Sequence, residues 1–170
     1  MSKDAQGLPV HVTRRWLLIG TGASVLALLG GMWLSRADRQ TTMTIYKSAT
    51  CACCAAWVTY IEKAGFLAQV IILDDEALAA HKRAVGVQDA LASCHTAVIG
   101  NYVLEGHVPV PAILKLLDER PAGQGLAVPG MPSGSPGMEV PGQPSDAFDV
   151  LLFQRDGTSG VFARFAAGAL

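Results

Sequence analysis

Aromatic residues are scarce in this sequence of 170 residues, making up 6% of it, and no basic patch is interleaved with them. Nucleic-acid recognition, which needs a basic footprint and stacking platforms, therefore has no positive signal. No internal repeat appears at the periods of solenoids or propellers, so a repeat array is not indicated. A clear signal-cleavage site is missing as well, since Ser35-Arg36-Ala37 is a poor match to a small-x-small pattern. Cysteine is also rare. There are four in all, and three of them fall within Cys51-Ala52-Cys53-Cys54, the fourth being Cys94.

The first forty residues differ in kind from the rest. A polar start leads to Thr13-Arg14-Arg15 and then to Trp16–Leu34, which carries no charge. The arginine pair directly before an apolar run resembles a twin-arginine export signal. The length of that run lies between a secretory h-region and a membrane span. Residues 1–40 thus read as an export signal or an N-terminal anchor in the inner membrane, and residues 41–170 as one domain working outside the cytoplasm, in the periplasm. That domain has eight Lys and Arg against twelve Asp and Glu, a net charge of −4. Such a balance suits a soluble domain with cationic clients better than one binding anionic lipid or nucleic acid.

Periodicity divides the exported part into elements. Thr42–Lys47 alternates and is β-branched, as in a strand. Ser48-Ala49-Thr50 offers favoured N-cap residues. A helix from Ala52 to about Ala64 then places Cys54, Trp57, Val58 and Ile61 on one face and ends at Gly65. Ala68–Leu73 is a nearly unbroken apolar run, the pattern of a buried parallel strand. Asp74–Val85 is acidic first and basic last, as the helix dipole prefers. Thr96–Ile99 and Tyr102–Glu105 form a hairpin around Gly100-Asn101. Pro111 sits at an N1 position before a third helix, Ala112–Glu119. From Pro121 to Pro144 the chain is too rich in Gly and Pro for regular structure. A hairpin of Phe148–Gln154 and Ser159–Phe165 follows. A long loop inside a compact domain is often functional, and this one is expected to pack over the domain, with Met131 and Met138 in a matched PGM pair. The order is β-α-β-α-β-β-α, an α/β plan of thioredoxin-like type with a long Gly/Pro/Met loop and a C-terminal β-hairpin.

Cys51, Cys53 and Cys54 sit after a strand and in the first turn of a helix. Free N–H groups and the positive end of the helix dipole stabilise thiolates there. Cys51 and Cys54 have the C-x-x-C spacing of a small-ring disulfide, which leaves Cys53 over. In a thioredoxin-type plan, the loop entering the third strand faces these cysteines and usually carries an X-Pro bond followed by Thr. Here the matching triplet is Cys94-His95-Thr96, which by that analogy brings a fourth sulfur and an imidazole over the cluster. Clustered thiolates, an imidazole and two methionines make a soft site, suited to Cu(I) or to Zn(II). Iron–sulfur ligation normally spaces its cysteines more widely. The extracytoplasmic address and paired methionines favour copper over zinc. His107, in Glu105-Gly106-His107-Val108-Pro109, is a further candidate ligand. His81 reads as surface, and Trp57 and Tyr60 as core.

YKSATCACCAAWV, LASCHTAVIGNYVLEGHVP, GLAVPGMPSGSPGME and DVLLFQRDG, in that order between Thr42 and Arg164, resemble the CopG-type copper-resistance family. The resemblance implies a thioredoxin-like periplasmic protein that binds copper through clustered cysteines. It places the metal ligands at Cys51, Cys53, Cys54 and Cys94, with His95 and His107 matching the family's histidines. More than one Cu(I) per chain, and a role coupled to copper or thiol redox chemistry, are compatible with it. So are exchange of copper with other periplasmic copper-handling proteins and sharing of thiolates between copies. Two other functions remain open: a thiol–disulfide oxidoreductase using Cys51 and Cys54, and a protein with a structural zinc.

Overall fold

The computed structural model describes residues 41–169. The expected export segment and apolar run lie outside them. Among the described residues, no helix is long and apolar enough to cross a membrane.

The chain forms β1 (Thr42–Lys47), α1 (Ala52–Lys63), β2 (Leu67–Ile72), α2 (Asp75–Ala84), a 3-10 turn (Asp89–Leu91), β3 (His95–Ile99), β4 (Tyr102–Glu105), α3 (Val110–Glu119), β5 (Gly125–Ala127), β6 (Phe148–Phe153) and β7 (Ser159–Phe165). This is a mixed α/β fold with three helices and one seven-stranded sheet in the order β2-β1-β3-β4-β5-β6-β7. β1 runs parallel to β2 and antiparallel to β3, and β3 pairs antiparallel with β4. β5 is parallel to β4, while β6 and β7 close the sheet as an antiparallel hairpin.

The alternation of side chains along each strand sorts the core onto two faces. Leu104 joins Met43, Ile45, Ala97 and Ile99 beneath Trp57 and Ile61 of α1 and Ile113 and Leu116 of α3. Its neighbour Val103 packs the other way, with Val87, Leu91, Ala127 and Phe153. α2 starts as its composition predicts: Asp74 is the N-cap and accepts from the Ala77 N–H at 2.8 Å.

Three expectations are corrected. β2 does pair parallel with β1, but it is a sheet edge, not a buried strand. Its Leu67, Val70 and Ile72 are 46%, 42% and 53% exposed. An unbroken apolar run marks a buried strand only where helices cover both faces of the sheet, and β2 sits at the edge with β1 as its single neighbour. The Gly/Pro segment contains a strand, β5, that its composition hides. Gly125 is required there because an added Cβ would lie 1.8 Å from the Val103 carbonyl oxygen. The glycine that reads as a breaker is what lets β5 approach β4. His81 is half-buried, not a surface residue. Its ring stacks on Tyr46 at 3.7 Å, and its Nε2 is buried without a hydrogen-bond partner.

Candidate metal centre

The site lies where β1 runs into α1. Cys51, not Ser48 or Thr50, is the N-cap of α1, and its sulfur accepts from the Cys54 N–H at 3.3 Å. A disulfide sulfur takes the place of the usual hydroxyl acceptor, so the cap itself is part of the cluster. Cys51 and Cys54 are joined in a disulfide, while Cys53 and Cys94 are free. The Cys53 sulfur lies 3.5 Å from that of Cys51 and 3.7 Å from that of Cys94. The sulfurs of Cys51, Cys53, Cys54 and Cys94 all lie within 4.8 Å of one another.

Cys94 arrives at the mouth of β3, as the strand analogy expected. Its position is fixed by groups the sequence reading did not single out. The buried Glu105 carboxylate accepts from the Ser93 N–H at 2.7 Å and from the Thr96 hydroxyl at 2.6 Å, one residue before and two after Cys94. Lys82 of α2 reaches in to pair with the same carboxylate at 2.5 Å and donates to Thr96 Oγ1 at 3.0 Å. The Ser93 hydroxyl donates to the Gly130 carbonyl, tying the Gly/Pro loop to this turn. The available signal was a lone carboxylate closing the apolar strand YVLE, since a charge at the end of a buried strand needs a partner.

Both predicted histidines reach Cys94. His107 Nε2 is 2.8 Å from the Cys94 sulfur, and His107 Nδ1 is 2.8 Å from the Pro136 carbonyl oxygen. A carbonyl only accepts, so Nδ1 carries the proton and the Nε2 lone pair faces the sulfur. His95 is fully buried, with Nδ1 3.8 Å from the Cys94 sulfur and Nε2 without a partner. Its ring lies 4.4 Å from Trp57 and 5.1 Å from His107. Trp57 and Tyr60 are structural, as expected. Trp57 Nε1–H donates to the Val108 carbonyl at 3.0 Å, and Tyr60 Oη accepts from the Val110 N–H at 3.1 Å. These bonds fix the segment after His107 against α1.

The Gly/Pro loop does pack over the site, through its backbone. Pro136 holds His107, and Gly137 lies so close to α1 that an added Cβ would be 2.8 Å from the Trp57 nitrogen and 3.0 Å from the Cys53 oxygen. Met131 is 55% exposed. Met131 is thus directed to solvent rather than into the site.

Burial governs the protonation states. It pushes the Cys94 thiol up to about 11, helped by the nearby Cys53 sulfur. It holds His107 below the usual histidine range, and His95 well below it, with His107, Lys82 and Lys47 adding to the effect on His95. The helix-start argument for thiolates therefore does not extend to Cys94, which lies off the helix. At neutral pH the Cys94 S–H donates to the His107 Nε2 lone pair.

The donor set fits a soft ion. Tetrahedral coordination with metal–sulfur bonds near 2.3 Å separates sulfurs by about 3.8 Å. The two free sulfurs, Cys53 and Cys94, lie 3.7 Å apart, close to that spacing.

Comparison with known proteins agrees with this chemistry. The family profile described as "Protein of unknown function, DUF411" matches residues 91–138, which include Cys94, His95, His107 and the overlying loop. Two solved structures, titled "Copper resistance protein copG", Form 2 and Form 1, are 38% and 39% identical to this chain. Each comparison covers 75% of this chain and 99% of the other, with a TM-score of 0.68. No curated protein matches.

Proposed function

This chain belongs to the CopG copper-resistance family, and from that premise we propose that it is an exported protein that takes up Cu(I) on a cysteine cluster in copper tolerance. The observation that carries the reading is convergence. Four sulfurs lie within 4.8 Å of one another, and two imidazoles share Cys94 with them. Cys51, Cys53, Cys54 and Cys94 are the thiolate ligands. His95 and His107 complete the site or orient it, and the loop through Pro136 limits access of water. Copper is the cargo here, and clustered thiolates bridge more than one ion readily.

Full loading needs the Cys51–Cys54 disulfide opened by two electrons and two protons, so uptake is tied to thiol redox state. The strand order β2-β1-β3-β4, with β3 antiparallel to the others, supports the thioredoxin-like assignment. The twin-arginine-like start supports a periplasmic address, with or without an anchor at residues 16–34. Other periplasmic copper-handling proteins are the natural donors and acceptors.

One observation favours a second reading. The Cys51–Cys54 disulfide sits at a helix start with a free Cys53 sulfur 3.5 Å away, an arrangement suited to thiol–disulfide exchange. The two readings separate on the full chain, reduced and kept free of oxygen, by titration of Cu(I) against a competing chelator. Tight binding of one or more ions per chain is expected. It should be lost when Cys51, Cys53 and Cys54 are replaced by Ala, and sharply weakened by Cys94→Ser. Absent binding, together with turnover on a disulfide substrate under strong copper chelation, would move the assignment to the oxidoreductase. Copurified zinc with unfolding on chelation would indicate a structural zinc instead.

A further inference from the structure

Of the two edges of the sheet, β7 is blunted and β2 is not. β7 contains Gly160, carries Arg164 with its side chain 77% exposed, and pairs with β6 through a register shift at Val150/Leu151. Charges and irregularities of this kind keep an edge from templating further strands. β2 has no charged residue, proline or glycine, and it pairs with β1 in unbroken register from Leu67 to Ile72. The Leu67 N–H donates to the Thr41 carbonyl and the Leu73 N–H to the Lys47 carbonyl. Alternation therefore turns the N–H and C=O groups of Leu67, Gln69 and Ile71 toward β1, and those of Ala68, Val70 and Ile72 away from it. These last residues form an open ladder. The side chains of Val70 and Ile72 stand exposed beside it, on the face that carries Met43 and Ile45.

Complementarity and charge say what fits this ladder. The strand is its own complement. In an antiparallel two-fold pairing centred on Val70, Val70 meets Val70 of the second copy, and Ala68 meets Ile72 on either side. Each is a hydrogen-bonded pair that exchanges two N–H···O=C bonds. On the other face Gln69 lies opposite Ile71. No charge is buried, and β-branched side chains meet across the axis. Charge sets the direction. β2 is entered from Glu62 and Lys63, which balance, and it leaves into the exposed Asp74, Asp75 and Glu76. Antiparallel pairing puts the acidic groups of the two copies at opposite ends of the strands, about 20 Å apart and beyond a Debye length of about 8 Å. Parallel pairing would set them side by side. We propose that β2 is a homodimer interface, in which two copies of this chain join edge to edge through antiparallel β2 strands about a two-fold axis at Val70. None of Cys51, Cys53, Cys54, Cys94, His95 and His107 lies on β2, so the association is independent of copper uptake and each copy keeps its own site.

The test uses the full chain in detergent, with reductant and a metal chelator present so that neither a disulfide nor a metal can join copies. Sedimentation over a wide concentration range should show a dimer. Val70→Lys sets two ammonium groups against each other on the axis, and Val70→Pro removes only an outward N–H; each should leave monomers. Val161→Lys on β7 should leave the dimer intact. Hydrogen exchange at the Ala68, Val70 and Ile72 amides should be at least about tenfold slower in the dimer than at the same backbone positions 68 and 72 in Val70→Lys. Circular dichroism checks each variant, and exchange in the unaltered chain decides the matter if neither Val70 variant folds. A monomer at every concentration would overturn the proposal. So would a dimer that persists in both Val70 variants, as one joined through Trp16–Leu34 would, or one lost with Val161→Lys. Fast exchange at the three amides in the dimer would overturn it as well. Slow exchange at them in a chain that stays monomeric would place residues 1–40 on the edge and exclude the second copy. Under reducing, chelator-competition conditions Val70→Lys should bind as much Cu(I) per chain as the unaltered protein. Absence of Cu(I) binding from both would instead sink the copper-uptake reading and leave the dimer standing.

Discussion

Cys94 holds a proton that any metal ion must displace. Burial raises its thiol to about 11, so throughout neutral and mildly alkaline pH the site is protonated before loading and deprotonated after it. Proton release on binding makes apparent affinity rise with pH. From Cys94 alone, Cu(I) affinity should increase about tenfold per unit between pH 6 and 9, with the gain ending as pH passes its raised value. Chelator competition across that range, with Cys94→Ser showing a shallower slope, measures it. Glu105 is the other decisive residue. Its buried carboxylate pins Ser93, Thr96 and Lys82 around the turn that presents Cys94. Replacing it with Ala strands the mostly buried Lys82 ammonium, and removing one partner of a buried pair costs about 3–5 kcal/mol. Urea unfolding of Glu105→Ala should show a loss of that order.

At the scale of elements, the Gly/Pro segment acts as a strap. It contributes β5 to the sheet, ties Gly130 to Ser93, and delivers the Pro136 carbonyl to His107. Gly137 is what lets it lie against α1. Its φ is +86°, in the region that favours glycine, and an added Cβ would press on the Trp57 and Cys53 backbone. Gly137→Ala should cost about 1–3 kcal/mol by thermal or urea unfolding, from backbone strain together with overpacking. It should also weaken Cu(I) binding by displacing Pro136 from His107.

For the whole molecule, the question is whether the fold depends on the Cys51–Cys54 bond, which the proposed four-sulfur loading would open. The Cys51–Cys54 disulfide closes a very short loop, and in the chain-entropy view such a loop contributes only about 2 kcal/mol. The two faces of the sheet are packed independently of it, by the Trp57–Leu104 cluster and the Val103–Phe153 cluster. The reduced, metal-free chain should therefore keep its far-UV spectrum and unfold in one cooperative step, at a midpoint only modestly below that of the oxidised chain. Loss of the native spectrum on reduction would mean that the disulfide, and not the core, holds the domain together.

Local pattern was enough to place most elements within a residue or two, because strand alternation, dipole-ordered charges and Gly or Pro stops are written in neighbouring residues. Residue type marked Cys51, Cys53 and Cys54 as soft donors, but Cys94, His95 and His107 joined them only through the thioredoxin-type analogy and the family resemblance, because the meeting of distant segments is not written in local pattern. What lay beyond it were relations between distant segments. The sheet order made β2 an edge, and the approach of backbones in space made Gly125 a strand residue. Cys94 meets His107 at 2.8 Å because a hairpin folds back, and the tautomer of His107 is set by Pro136, 29 residues further along. The Glu105–Lys82 pair and the burial that raises the Cys94 thiol arise in the same way. Residue identity and short-range spacing fix the kind of chemistry this chain can perform. Desolvation and long-range contact, which exist only once the chain has folded, decide which atoms perform it.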